Sequence, residues 1–311
     1  MKTNSLILLI FVVLFSLKST AKVITVNNRL DLAVADYSSL QLAYDDASAG
    51  DTLLVYPSET PYAGIDIAKK VILIGSGFTS TANLPATKIS GTVNFLTGSD
   101  GSVIESFGGE FNITVTNANS IAISKNALAS IVIEDSFNTM LFGNNSPSLT
   151  LKGNSLVEAS NNIFRSSQTP IILEANSALN ISNSIMVVDN TYLLIRGGTV
   201  TGKNNLIYYL KAYGWNIIYG YYEESNVNFY YSLIDYYSEF SNLFSDGYHL
   251  KPDSPASGTG ENGTDMGIYG GATPFVDGGY PSIPIIYQLD VPLTGSQKDG
   301  INVTIKAKSN N

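Results

Sequence analysis

The 311-residue chain has no cysteine. A disulfide framework, a cysteine-linked lipid anchor and a thiolate metal site are therefore excluded. It has one histidine, His249, which rules out a multi-histidine metal centre and leaves a single candidate for imidazole chemistry. Charged residues make up only 14 % of the chain, so Asn, Ser, Thr, Gly and Tyr must supply most of the surface. With Lys and Glu so scarce, a helical protein is not expected. Basic residues are scarcer than acidic ones, giving a net charge of −9. Loss of Lys2 and Lys18 with a leader over residues 1–21 takes that charge from −9 to −11. Nucleic acid and anionic membranes are disfavoured as partners. A strongly anionic polymer is an awkward substrate unless a local basic patch or calcium intervenes. No metal site and no cofactor is expected, with Ca2+ entering only under the lyase reading below.

Long apolar runs are also lacking, with one exception. Leu6 to Leu17 is broken only by Ser16, follows Lys2 and precedes the small residues Ser19-Thr20-Ala21. This is the pattern of a secretory signal peptide over residues 1–21. Twelve helical residues reach only about 18 Å, short of the roughly 30 Å core of a bilayer, so no membrane span is expected after cleavage. Export without cysteines fits a bacterial envelope or extracellular location.

What the chain does have is a repeat. One set of short strands starts at Ile113, Ile131, Leu149, Ile171 and Leu193, spaced 18, 18, 22 and 22 residues apart. A second set, interleaved with it, starts at Ile121, Met140, Val157, Leu179 and Val200, spaced 19, 17, 22 and 21 apart. Each strand alternates apolar and polar residues, which buries one face. Two registers that drift together, with no helical period between them, read as coils of a parallel β-helix. The alignment puts Val115, Ile133, Leu151, Leu173 and Ile195 in one buried column and Ile123, Phe142, Ala159 and Ile181 in another. Polar pairs follow the second set: Lys125-Asn126, Asn144-Asn145, Asn161-Asn162, Asn183-Ser184 and Asn204-Asn205. Asn tolerates left-handed backbone, and its amide can bond along a stack of like corners. Apolar Ile163-Phe164, Ile185-Met186 and Leu206-Ile207 come next and predict a third short strand per coil.

Before the coils lies a single helix signal. Ser38-Ser39-Leu40-Gln41 has capping-box spacing, and Leu40, Ala43, Tyr44 and Ala47 share a helical face until Gly50-Asp51 stops it. An open solenoid end templates aggregation and must be covered, so this helix is expected to cap it.

Here the chain resembles a family. SLQLAYDDASAGDTLLVYP at 39–57 and KKVILIGSGF at 69–78 are similar to the N-terminal signature of secreted right-handed parallel β-helix proteins of the pectate-lyase-like superfamily. YHLKPDSPASGTG at 248–260 and DMGIYGG at 265–271 resemble the closing segment of many such proteins. Where the family often has a Gly-Thr-Tyr turn, this chain has Ser58-Glu59-Thr60-Pro61-Tyr62. The resemblance implies an all-β, right-handed parallel β-helix, a handedness that parallel crossovers also favour. It does not imply an activity, because the fold carries lyases, hydrolases, epimerases, adhesins and non-enzymes. The expected organisation is a signal peptide over 1–21, a capped β-helix over 22–271 and an extended tail over 272–311, punctuated by proline and glycine. The chain is expected to be a monomer.

Two regions offer chemistry. Ten of the nineteen tyrosines lie between Tyr208 and Tyr237, with the only tryptophan, Trp215. Tyr213, Trp215, Tyr219, Tyr221 and Tyr222 are candidates for stacking on sugar rings, since such rings pair a flat apolar face with a polar edge; packing on the last coils is the plainer reading. The other region is a column of alternating charge, Glu134, Lys152, Glu174 and Arg196, at the fourth position of successive strands. Lys152 and Arg196, with Lys203 beyond the next corner, are the weak candidates for a lyase base. Alternating signs suit an ion-pair ladder better, because a base must be uncompensated. Paired carboxylates for glycoside hydrolysis are not found. The first expectation is an exported surface or matrix protein that binds a polysaccharide or cell-surface glycan without catalysis. The alternative is a polysaccharide lyase acting on uronate-containing glycans.

Overall fold

The computed structural model describes residues 21–29, 35–80, 85–166, 170–174, 176–188, 195–196, 198–210, 222–223, 226–230, 233–237, 243–292, 294–295, 298 and 300–308. The chain is a right-handed parallel β-helix. Its strands stack into three parallel sheets of ten, nine and five strands. The ten-stranded sheet 1 runs from Val23–Val26 to Asn226–Tyr230 and holds the second set of sequence repeats. The nine-stranded sheet 2 holds the first set, including Ser130–Glu134 and Leu149–Lys152. Sheet 3 contains Asn145–Ser146, Ile163–Ser166, Ile185–Val188, Leu206–Leu210 and Leu233–Tyr237, the third strand of the later coils. Among the described residues, none of the helices is long and apolar enough to cross a membrane.

The alternation in sheet 2 closes a dry interior. Val115, Ile133 and Leu151 face each other across successive strands with no solvent exposure, and Leu173 continues the column. Stacking identical apolar positions at about 4.8 Å removes nearly all of their surface from water. Two register corrections follow. In sheet 1 Leu141, not Phe142, pairs with Ile123 and Ala159 and enters the core. Three consecutive apolar residues, Met140-Leu141-Phe142, give no alternation to fix the phase. A one-residue slip exchanges the two faces. Met140 is therefore exposed, Phe142 is half-buried, and Thr139 occupies the buried column between Ile121 and Val157. The second correction concerns Ile195, which pairs with Ile171 and not with Leu173. The last repeat of sheet 2 is thus offset by two residues from its sequence alignment, which leaves every face unchanged but moves Arg196.

The helix Leu40–Asp46 packs Leu40, Ala43 and Tyr44 on the core at the N-terminal end. Its N-cap is Ser39, whose hydroxyl accepts from Leu42 N–H. Gln41 does not close a capping box with Ser38; its amide donates to Asp45 one turn on, at 2.8 Å. Asp51, buried after the helix, accepts from the backbone N–H of Lys22 and of Ser48, both at 2.8 Å. These bonds to main chain hold its carboxyl below the ordinary carboxylate range and join the first strand to the helix exit.

The corners after sheet 1 are built from two-residue units with divided work. The first residue of each unit is left-handed: Lys125, Gly143, Asn161, Asn183 and Asn204 have φ of 52°, 62°, 54°, 48° and 51°. The second points inward as a rung: Asn126, Asn144, Asn162, Ser184 and Asn205, all fully buried. Each rung accepts from the backbone N–H of the rung before it, at 3.1, 2.9, 3.1 and 3.0 Å along the series. Asn144 also donates to the Ile123 carbonyl at 2.7 Å and to Asn162 Oδ1 at 3.1 Å. The unit in that coil is Gly143-Asn144, not Asn144-Asn145, because the strand before it is shifted by one. Glycine supplies the left-handed residue there at no steric cost.

Both faces of sheet 3 are apolar. Phe164, Met186 and Ile207 point into the solenoid, while Ile163, Ile185 and Leu206 point outward. A returning segment covers that outer face with Leu243, Phe244, Ala256, Met266, Ile268 and Phe275. It is held by the outward members of the corner units. Asn204 Nδ2 donates to the Thr259 carbonyl at 3.1 Å, Asn183 Oδ1 accepts from Glu261 N–H at 2.8 Å, and Asn161 Nδ2 donates to the Gly267 carbonyl at 3.1 Å. Asp265 accepts from Gly258 N–H at 2.8 Å and fixes a turn within the segment. The strap runs from the later coils back to the earlier ones and crosses Phe78 at Gly278-Gly279. A Cβ on Gly279, at φ 68°, would lie 2.5 Å from the Phe78 ring. The strap then reaches Glu105 and Lys125. Residues Ile285–Asp290 and Thr304–Lys308 form a separate antiparallel hairpin.

Candidate functional site

The strap and the solenoid enclose a groove. Its deeper part, about 400 Å³, is lined by Phe78, Tyr248, His249, Tyr269, Phe275 and Asp277. It continues past Asn145 and Tyr248 into a second hollow of about 330 Å³ lined by Gly109, Ala127, Leu128, Pro147 and Arg165. The groove passes in turn the coils that carry Phe78, Gly109, Ala127, Asn145 and Arg165. Those are four strand spacings, roughly 19 Å along the solenoid axis.

The strap sets the ring geometry. His249 stacks on Tyr269 with centroids 3.9 Å apart and planes 20° from parallel. Tyr269 meets Phe275 edge to face at 5.2 Å, and Phe275 lies 5.0 Å from Phe78. Asp277 Oδ1 is 2.7 Å from His249 Nε2 and 2.9 Å from the Tyr269 hydroxyl. A carboxylate can only accept, so Nε2 carries the ring proton. The Tyr269 hydroxyl also lies 2.9 Å from the Gly247 carbonyl, so its one proton is shared between two acceptors. Burial, then the bond to Asp277, pushes the Tyr269 phenol well above its ordinary value. Tyr269 therefore stays neutral and in place, while Asp277 remains largely open to solvent. The arrangement places packed aromatic rings, a fixed carboxylate and a partly exposed imidazole on the wall of the groove.

A second cluster lies where the strap ends. Lys125, 1 % exposed, is 3.7 Å from Glu105 and donates to Ser282 Oγ at 2.8 Å. Glu105 accepts from the Ser282 N–H at 3.1 Å and from its hydroxyl at 2.8 Å. Burial pulls the Lys125 ammonium below its ordinary value, with Glu105 opposing. All three groups are spent on one another, so this is a clasp and not an open site.

The residues singled out by sequence are not brought together. Lys203 pairs with Glu261 of the strap at 2.5 Å. Lys152 stands beside Glu134 in strand register, and the Glu174 carboxylate accepts from Gly153 N–H at 2.8 Å. No ion pair within 4 Å joins Lys152 to either acid among the described residues. The expected ladder is therefore a charge column in which Glu174 bonds main chain. Arg196 does not continue it; its backbone lies between Ile172 and Glu223. Tyr213, Trp215, Tyr219 and Tyr221 lie outside the described residues; Tyr222 begins the short strand Tyr222–Glu223, and its side chain is likewise outside them. No group of three or more His, Cys, Asp or Glu that could hold a metal is found among the described residues.

Sequence reasoning passed over the groove. Tyr248, His249 and Tyr269 all stand in the closing segments that resemble a structural feature of the superfamily. The available signal was the single histidine flanked by Tyr248. Compared with known proteins, the chain matches no family model, and no curated protein matches it.

Proposed function

We propose that this chain is an exported β-helix of the pectate-lyase-like kind that binds carbohydrate, without transforming it, in the groove between strap and solenoid. The leader-like residues 1–21 support export to a bacterial envelope or the extracellular space. The observation that carries the binding reading is the groove itself, lined by Phe78, Tyr248, His249, Tyr269, Phe275 and Asp277 and continued by a second hollow past Asn145. Sugar rings stack on such faces while their hydroxyls bond to carboxylate and imidazole. The chain would act as a monomer towards a polysaccharide or cell-surface glycan, with no cofactor. Tyr213, Trp215, Tyr219, Tyr221 and Tyr222 remain a second candidate surface for the same ligand.

The lyase reading has weaker support. A lyase needs a base without a counter-ion, whereas Lys203 holds Glu261 and Lys152 sits in a column of acids. The test is a glycan array probed with the wild-type chain and with His249→Ala and Asp277→Ala, run beside a double-bond absorbance assay on uronate polymers. We expect retention on the array for wild type and loss in both variants, with melting temperatures within about 2 °C of wild type, as for surface changes. Retention that survives both substitutions, or uronate cleavage by wild type, would overturn the reading.

A further inference from the structure

Two apolar sheet faces of this chain are left uncovered. The first is on the C-terminal hairpin. Val303, Ile305 and Ala307 alternate with Thr304 and Lys306, which puts the apolar three on one face. Ile286 pairs with Ala307 across the hairpin. Ile286, Val303 and Ile305 are 62 %, 48 % and 58 % exposed. A lone two-stranded hairpin is marginal in water until such a face is packed. The second face is the outside of sheet 1. Its register aligns Val23, Thr52, Ile72, Val103, Ala122 and Met140 in one row, about 24 Å long at the strand spacing. Chain neighbours such as Leu53, Ile104 and Leu141 fill the core, so the row faces out. Val23 and Met140 are 59 % and 51 % exposed. From Glu158 onward the same row is polar, continuing as Asn180 and Thr201.

We propose that these two faces bind each other between copies of the chain. The hairpin of one copy lies on the outer row of sheet 1 of a second copy, whose own hairpin returns the contact. Strands of five or six residues reach about 17–20 Å, a match to the row, and two sheet faces pack about 10 Å apart. The tether keeps the hairpin off its own row. Ser282 is fixed to Glu105, its N–H at 3.1 Å and its hydroxyl at 2.8 Å. Four residues, spanning at most about 14 Å, then lead to Ile286. Pro284 fixes its own φ and keeps Ile283 extended. A short, stiff hinge of this kind favours exchange with a copy. Charge selects a solenoid over another hairpin. Residues 284–311 hold three lysines against two aspartates, whereas residues 22–283 hold twelve basic and twenty-four acidic residues. The basic hairpin is therefore drawn to the acidic body. Two contacts of roughly 20 by 10 Å, counted on both copies, bury about 800 Å², below the roughly 1,200–2,000 Å² of a stable complex. The pair is thus weak, and the dilute chain is a monomer. Each copy keeps its own strap and groove, so a single chain remains the unit that meets a glycan. The pairing does not depend on the glycan reading.

The experiment is sedimentation velocity of the purified chain at concentrations from about 2 to about 500 µM. Wild type should pass from monomer to dimer with a midpoint on the order of tens of micromolar. Ile305→Asp and Met140→Lys change exposed side chains and should keep the melting temperature within about 2 °C. Each should raise the dissociation constant at least about tenfold, because two damaged contacts then face every pair. Mixed in equal amounts, the two variants should associate again. One contact then sets the new carboxylate against the new ammonium, and the other is wild type on both sides. Met140→Leu should pair as wild type does. A wild-type chain that stays monomeric at about 500 µM would overturn the proposal. So would pairing lost in Ile305→Asp but kept in Met140→Lys, which puts hairpin on hairpin, or a mixture that fails to re-associate.

Discussion

The inner corner stack and the outer groove lie on the same flank of the solenoid and obey different rules. The stack, Asn126 to Asn205, is made by neighbours: each rung bonds the next coil, and the same two-residue unit recurs. The groove is made by strangers. Tyr248, Tyr269, Phe275 and Asp277 come from a segment beyond the repeats and meet Phe78 from near the chain's beginning. One region is buried and bonded from coil to coil, while in the other the His249 side chain is 44 % and the Asp277 side chain 74 % exposed. Repetition builds the scaffold, and the one non-repeating return of the chain builds the place where something can bind.

The widest gap between the two should appear on truncation. Asn144→Ala would strip the Asn126 N–H of its acceptor and the Ile123 carbonyl of its side-chain donor inside the solenoid, while the Asn162 oxygen keeps the N–H of residue 144. At about 1–3 kcal/mol for each buried orphan, the loss should be roughly 4 kcal/mol, read as a drop in the denaturant midpoint. Asp277→Asn should change stability by less than about 0.5 kcal/mol. Equal effects would dissolve the distinction between scaffold and groove.

The clasp sharpens the comparison, because it joins the two regions. Lys125→Met breaks the contacts to Glu105 and Ser282 and should cost about 1–3 kcal/mol. Hydrogen exchange should rise over residues 274–283 while the rung amides of 126, 144 and 162 stay protected. The pH dependence has a definite sign. Burial lowers the Lys125 value in the folded chain below the ordinary 10.5. Between the two values the unfolded chain binds more protons, so the lysine's contribution to stability rises with pH through that window. The stability difference between wild type and Lys125→Met, followed from neutral pH to 10.5, should show this rise.

The smallest effect belongs to a buried hydroxyl in the core column of sheet 1. The Thr139 hydroxyl is buried with no hydrogen-bond partner, between Ile121 and Val157. Thr139→Val keeps the shape and removes the orphan, and should stabilise by about 1 kcal/mol in denaturant titration.

What could be read from the sequence follows the same division. Ile113, Ile131, Leu149 and Ile171 pair as their spacing implies, since alternation marks the buried face of each strand. The corner pairs were visible because Asn and the left-handed turn go together. The phase failed at Met140-Leu141-Phe142, where nothing alternates, and at Arg196, where a change of coil length moved the pairing by two. The groove was not legible, because no local pattern says that Phe275 will return to Phe78 across nearly two hundred residues. Ile163 and Ile185, outward-facing beside inward-facing Phe164 and Met186, did imply that something must cover sheet 3. They could not say what.

Where a glycan touches the chain is the most direct test of binding in the groove. Hydrogen-exchange footprinting, with and without the best ligand from the array, reports this for the whole protein. Binding in the groove should protect peptides covering 244–250 and 265–279, with a weaker footprint at 145–147 and 163–166. Protection confined to 208–240, with the groove peptides unchanged, would contradict it and move the binding surface to the aromatic segment around Trp215.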